Sequence, residues 1–204
     1  MSAIDNFFSD PILAELNNKV VAQFGQLPIL IPAPPERYFK QLCASIISQQ
    51  LSTKVADIIE LRVSEALQNN WDPQYIQAVD ATVLRAAGLS NAKVSYIKNI
   101  AEAWATNRIK PEEIATASDQ QVVDLLCTIK GIGKWTAEMF LIFTLCRPDV
   151  FSAGDYGLRK AISTAYNCDS NEKPAVFNSI ADNWKPQRSR ASRILWKSLE
   201  LSQK

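Results

Sequence analysis

Two short segments hold the residue types from which chemistry could be built. The first is Leu126-Cys127-Thr128-Ile129-Lys130-Gly131-Ile132-Gly133-Lys134-Trp135-Thr136-Ala137. Apolar residues at helical spacing lead into Gly-Ile-Gly, and a second helical pattern opens directly behind it. A tight turn there leaves the first N–H groups of the second helix without intrahelical partners, a ready site for an anion such as a phosphate. The same glycines also fit a plain turn between two antiparallel helices, so the segment alone leaves both readings open. The second segment is Phe151-Ser152-Ala153-Gly154-Asp155-Tyr156-Gly157-Leu158-Arg159-Lys160. Taken alone, Asp155 reads as a helix N-cap, with Leu158, Ala161, Ile162 and Ala165 following on one side.

What is missing narrows the chemistry. The 204 residues include no histidine, which removes Ser-His-Asp and Cys-His catalysis and any histidine-held zinc or haem. Cys43, Cys127, Cys146 and Cys168 are spaced 84, 19 and 22 residues apart, with no Cys-x-x-Cys pair. That spacing excludes a zinc or iron–sulfur site, and the four read as buried thiols. Gly131 and Gly133 follow a helix rather than a strand, against a dinucleotide fingerprint, and Trp135 stands where a phosphate loop needs Ser or Thr. Carboxylates, amines, hydroxyls and the backbone remain.

The elements that must position these groups are helical. Phe39, Leu42, Cys43, Ile46 and Ile47 mark one buried helix face, and Val55, Ile58, Ile59, Val63 and Leu67 a second. A third helix is expected from about Tyr75 to Ala87, stopping at Gly88, and a fourth after Asn91 with Val94, Ile97, Ala101 and Trp104 inward. Ser118 and Gln121 make a capping box for a helix that runs towards Gly131. Further helices are expected over Lys134 to Leu145, from Asp155, and around Ile194, Leu195 and Leu199. Four prolines between Pro28 and Pro35 read as an extended connector. No segment alternates like a strand for long, so the class is all-α.

Composition agrees with a packed globular body, at 47% hydrophobic and 21% charged residues. The net charge of +1 is unevenly spread: residues 1–129 carry 10 Lys and Arg against 14 Asp and Glu, whereas residues 130–204 carry 12 against 7. A basic C-terminal part is compatible with a polyanion surface. The apolar run from Met139 to Cys146 spans 8 residues, far short of the roughly 20 that cross a bilayer. The start, Met1-Ser2-Ala3-Ile4-Asp5-Asn6, has no basic residue before Lys19, unlike a signal or transit peptide. An intracellular protein is expected, in the cytoplasm or nucleoid if bacterial.

Leu-x-x-x-x-Gly-Ile-Gly, then Lys-Trp-Thr-Ala, then Gly-Asp-Tyr before a helix resembles the helix-hairpin-helix (HhH-GPD) DNA glycosylase superfamily. The resemblance extends to Ile46-Ile47-Ser48-Gln49-Gln50-Leu51-Ser52-Thr53-Lys54-Val55-Ala56 and to Asn183-Trp184-Lys185-Pro186-Gln187-Arg188-Ser189-Arg190-Ala191 through Trp196. The latter is similar to the Trp-Lys-Pro-x-Arg-Ser motif of the 3-methyladenine glycosylase II branch. About 160 residues, Arg37 to Trp196, carry the pattern, as in a compact member without the family's N-terminal β-domain.

The resemblance implies one HhH-GPD unit over 1–204 with two helical lobes. The central lobe would span 37–154 and hold the hairpin at about 125–137, and 1–36 with 155–204 would form the other, with Asp155 at the cleft. It implies a monofunctional glycosylase that acts as a monomer on double-stranded DNA, flips out 3-methyladenine and related alkylated purines, and hydrolyses the glycosidic bond to leave an abasic site. Asp155 would be catalytic; Trp135, Met139 and Trp196 would line the base pocket; Gln50 or Leu51 would fill the gap in the stack. Gly131, Gly133, Lys134 and Thr136 would hold a phosphate, with Lys54, Lys130, Arg188 and Arg190 as further contacts, and Trp184 would pack structurally. Main-chain carbonyls of Cys127, Ile129 and Ile132 would hold a monovalent cation, Na+ or K+, with no cofactor required and no iron–sulfur cluster. Bifunctional relatives carry lysine where this chain has Trp135, so the lyase route lacks its amine. No second carboxyl is evident as a general acid, which favours cationic alkylated bases. The alternatives are another lesion, namely hypoxanthine, uracil or an oxidised purine, or a non-catalytic DNA-binding module.

Overall fold

The computed structural model describes residues 9–201. The expectation for residues 1–6 lies outside the described residues. Twelve α-helices occur among these: α1 (Pro11–Phe24), α2 (Tyr38–Ser48), α3 (Thr53–Ala66), α4 (Pro73–Ala78), α5 (Ala81–Ala86) and α6 (Asn91–Ala105). They continue as α7 (Pro111–Thr116), α8 (Asp119–Cys127), α9 (Lys134–Phe143), α10 (Tyr156–Tyr166), α11 (Pro174–Ala181) and α12 (Arg188–Ser198). No strand occurs among the described residues, and none of the helices is long and apolar enough to cross a membrane.

The chain contacts divide it into two compact units, Pro32–Leu145 and Met1–Ile31 with Cys146–Lys204. These limits differ from 37–154. At the first limit, the Ala33 N–H donates to the Thr144 carbonyl at 2.9 Å, which draws the connector's end into the central unit. At the second, Ser189 Oγ donates to the Arg147 carbonyl at 2.6 Å and accepts from the Val150 N–H at 2.9 Å, so α12 claims the chain after Leu145.

In the central unit α2 is the axis, packing on α3, α6 and α9. Its Leu42, Cys43, Ile46 and Ile47 are fully buried, and each such aliphatic side chain contributes about 1.5–3 kcal/mol of transfer free energy. Tyr38 meets Phe140 of α9 edge-on with centroids 5.5 Å apart. In the other unit α1, α10 and α12 pack together over Leu13, Leu158, Ile162, Trp184 and Leu195.

Three expectations need correction. The helix expected near Tyr75 to Ala87 is two helices. Asp80 caps α5 by accepting from the Thr82 N–H at 2.8 Å, and Lys98 Nζ donates to the carbonyls of Gln77 and Val79 at 3.0 and 2.6 Å, so the break is satisfied and does not unravel. The helix behind the hairpin stops at Phe143, two residues short of Leu145. The cysteines are not uniformly buried: Cys43 is, with burial pushing its thiol up, whereas Cys127 is exposed and Cys146 and Cys168 are intermediate.

Candidate functional site

The hairpin occupies the turn between α8 and α9. Ser118 and Gln121 form the full capping box that starts α8, and the helix closes at Cys127, where the Ile129 N–H reaches back to the Leu126 carbonyl at 3.0 Å. Gly131 sits at φ +108°, and an added Cβ would overlap the Tyr96 ring of α6. Glycine is thus required there by conformation and by space together. Asn99 Nδ2 pins the turn by donating to the Lys130 carbonyl at 2.9 Å. Gly133 is the N-cap of α9 and supplies no side-chain cap, and the first-turn N–H groups of a helix have no intrahelical acceptor and suit an anion.

Of the residues assigned to phosphate contact, Lys134 is well exposed, with Nζ 3.7 Å from Glu138. Thr136 is buried, and its hydroxyl accepts from Gln49 Nε2 at 3.1 Å. Its main-chain N–H belongs to the first turn of α9. The Ile129 carbonyl accepts from the Ile132 N–H at 3.0 Å; a carbonyl has two lone pairs, so a hard monovalent cation can still be met there. Side chains do not build a metal site: no group of three or more Cys, Asp or Glu that could hold an ion occurs among the described residues.

The loop after α2 is fastened from two directions. Lys93 Nζ donates to the carbonyls of Ile47 and Gln49 at 2.7 and 2.8 Å, and burial pushes its ammonium below the ordinary lysine range. The Gln49 side chain bonds Thr136, as above. Between these ties Gln50 is exposed in the left-handed region at φ 59°, whereas Leu51 turns into a groove of about 430 Å³ between α2, α3 and α9. Trp135 and Met139 line the same groove, so the structure does bring these two together. The Trp135 indole is 41% exposed.

In the unit of the termini, Asp155 is the N-cap of α10 and only 8% exposed. Its Oδ1 accepts from the Leu158 N–H at 2.7 Å and from Trp196 Nε1 at 2.9 Å. Gly157 lies against the same pair: an added Cβ would stand 3.2 Å from Asp155 Oδ1 and 3.2 Å from Trp196 Cδ1. Trp196 is thus joined to Asp155, and the indole that the resemblance assigns to a base pocket is here a donor to the carboxylate.

Arg188 and Ser189 hold the loop that leads to Asp155. Arg188 donates to both carboxylate oxygens of Asp149, at 2.8 and 2.9 Å, and to its carbonyl at 3.0 Å. Burial alone would raise the Asp149 carboxyl, but the Arg188 guanidinium holds it below the usual carboxylate range. Arg188, expected as a further phosphate contact, is paired with Asp149 within the fold. Trp184 packs as expected: it is fully buried, and Nε1 lies 3.1 Å from Asp10 Oδ2 and 3.0 Å from the Tyr166 hydroxyl.

Local periodicity gave no sign of Tyr96, Lys93, Asn99 or the Gln49–Thr136 bond. Asp10 does carry a local signal, since Asp-Pro before an apolar run marks an N-cap. Its partnership with Trp184, 174 residues away, has none.

Similarity to known proteins agrees with this geometry. Residues 43–186 match the family described as HhH-GPD superfamily base excision DNA repair protein. The chain is 33% identical over 168 residues to the DNA-3-methyladenine glycosylase 1 of Schizosaccharomyces pombe, covering 80% of this chain and 73% of the relative. A putative DNA-3-methyladenine glycosylase of Bacillus subtilis is 30% identical over 76% of this chain, which spans 56% of that relative's length. Among solved structures, the S. pombe 3-methyladenine DNA glycosylase in complex with abasic DNA is similar with a TM-score of 0.80 at 28% identity, covering 96% of this chain and 99% of that one. The chain with the Gly-Ile-Gly hairpin and the buried Asp155 at the head of α10 belongs to the HhH-GPD superfamily of base excision DNA repair proteins.

Proposed function

We propose that the protein is a monofunctional DNA glycosylase that removes alkylated purines such as 3-methyladenine from duplex DNA. The observation that carries the reading is the Asp155 carboxylate, buried at the N-terminus of α10 and oriented through one oxygen by the Leu158 N–H and the Trp196 indole. A carboxylate held in this way suits a reaction that develops positive charge on a sugar, because no reorganisation is needed as the charge appears. As the C1′–N bond breaks, its electron pair moves to the cationic base, which departs neutral without being protonated. Water then bonds to C1′ and gives its proton to Asp155, leaving an abasic site. Trp135 cannot form a Schiff base, so the strand stays intact.

The remaining parts serve the approach to DNA. The main-chain donors of the hairpin and the first turn of α9 hold a phosphate without reading sequence. The Trp135–Met139 groove receives the flipped base, where an indole face attracts a positively charged ring. The exposure of Gln50 and the inward turn of Leu51 support Gln50 as the residue that fills the gap in the stack. Carbonyls of Cys127, Ile129 and Ile132 would hold a monovalent cation, which would supply positive charge beside the phosphate.

The test is base release from duplex DNA treated with a methylating agent, comparing the native protein with Asp155→Asn. The native protein should release 3-methyladenine with strands unbroken until alkali is added, and the variant should be slower by at least about 10²-fold. Binding without release by the native protein would leave another lesion or a non-catalytic DNA-binding module, which a panel of neutral lesions would separate.

A further inference from the structure

The groove between α2, α3 and α9 has an acidic wall. Asp57 and Glu60 stand almost one turn apart on α3 and line it together with Trp135, Met139 and Phe143. Asp57 is exposed and Glu60 half-buried, and neither has a hydrogen-bond or ion-pair partner among the described residues. No lysine or arginine lines the groove. Two of its aromatic residues reach solvent, with Trp135 41% and Phe143 46% exposed.

This combination is specific about a ligand. Partly exposed rings provide a flat apolar face for another ring, which an aromatic base of any charge can use. Two carboxylates in a lining that holds no lysine or arginine attract a positively charged ring, do little for a neutral one, and repel an anion. They also repel phosphate, so general DNA affinity gives no reason for them. The purines of intact DNA are neutral, whereas alkylation at a ring nitrogen of the nucleoside places positive charge on the ring.

We propose that Asp57 and Glu60 determine specificity in this groove by recognising the positive charge of an alkylated purine against the neutral purines of undamaged DNA. The inference rests on the reading of the groove as the base pocket. It gives charge selection a source in side-chain carboxylates, additional to the indole face of Trp135.

The experiment uses the full chain with Glu60→Gln, Glu60→Lys and the double variant Asp57→Asn with Glu60→Gln, and thermal unfolding to verify that each folds. Release of 7-methylguanine, which is cationic in DNA, is compared with release of neutral hypoxanthine from an otherwise identical duplex. For 7-methylguanine, kcat/KM should fall roughly tenfold in the double variant and stepwise from Glu60 to Gln to Lys, while hypoxanthine release stays within about twofold. Equal losses on both bases, or no loss on either, would overturn the proposal. So would loss of hypoxanthine release alone, since the carboxyls would then be proton donors. Where hypoxanthine release is below detection in every protein, the charge series on 7-methylguanine decides: a rate that follows the charge supports the proposal and one that does not overturns it. Failure of the native protein to release any base needs no variant to detect; it removes the glycosylase reading and this inference with it.

Discussion

Gly157 shows how closely the Asp155 carboxylate is fitted. It lies within α10, where Gly→Ala would ordinarily stabilise by about 0.5–1 kcal/mol. Here the new Cβ would press on both Asp155 Oδ1 and Trp196 Cδ1 at 3.2 Å, and one or both must shift by a few tenths of an ångström. Gly157→Ala is therefore expected to slow base release by roughly tenfold, since catalysis is sensitive to small misplacement, with a melting temperature close to native. A variant of native activity would show that the pair has room to adjust. Asp155 as a helix cap is legible in the sequence, because a short acceptor before an apolar helical pattern is a local signal. Its bond to Trp196 is not, because 41 residues separate the partners.

At the scale of elements, the hairpin and the loop before α10 each depend on a helix from elsewhere in the chain. Gly131→Ala meets two obstacles, the positive φ and the Tyr96 ring, and should destabilise by about 1–3 kcal/mol in urea unfolding while weakening DNA binding. Adding Tyr96→Gly should recover part of the stability, since it removes the ring and the Cβ that the new methyl group meets and leaves the φ penalty; no recovery would show that backbone strain dominates. The Asp149–Arg188 pair gives a pH prediction. Its folded-state carboxyl is held below the unfolded value, so its contribution is complete above the unfolded carboxylate range near 4 and is lost as pH falls through the lower folded value. Melting temperatures from pH 7 down to 3 should fall less steeply in Asp149→Asn than in the native protein over the acid limb. Parallel curves would mean that the pair adds no pH-dependent stability.

For the molecule as a whole, charge governs the approach to DNA. Lys54, Lys130 and Lys134 are exposed, and Lys134 opens α9 beside the hairpin's main-chain donors. Affinity for undamaged duplex should fall linearly with the logarithm of salt concentration, by about 0.9 in log K for each phosphate neutralised. Lys134→Ala should reduce that slope by about one while leaving any sequence preference unchanged, as measured by titration across a salt series; an unaltered slope would mark Lys134 as a solvated charge. The sequence by itself determined the helical class, most helix positions, the capping box, the hairpin and the helix that Asp155 heads. All of these are written in spacings of three to eight residues, which the periodicity of one helix or the chemistry of one cap can express. Only the tertiary structure decided that Tyr96 demands glycine at 131 and that Lys93 and Thr136 fasten the loop around Gln50. It also decided that Arg188 is held by Asp149, that Trp196 joins Asp155, and that two carboxylates of α3 face the Trp135 groove. These are meetings between side chains whose separation along the chain carries no local signal, and they are set by how helices pack rather than by what each helix prefers.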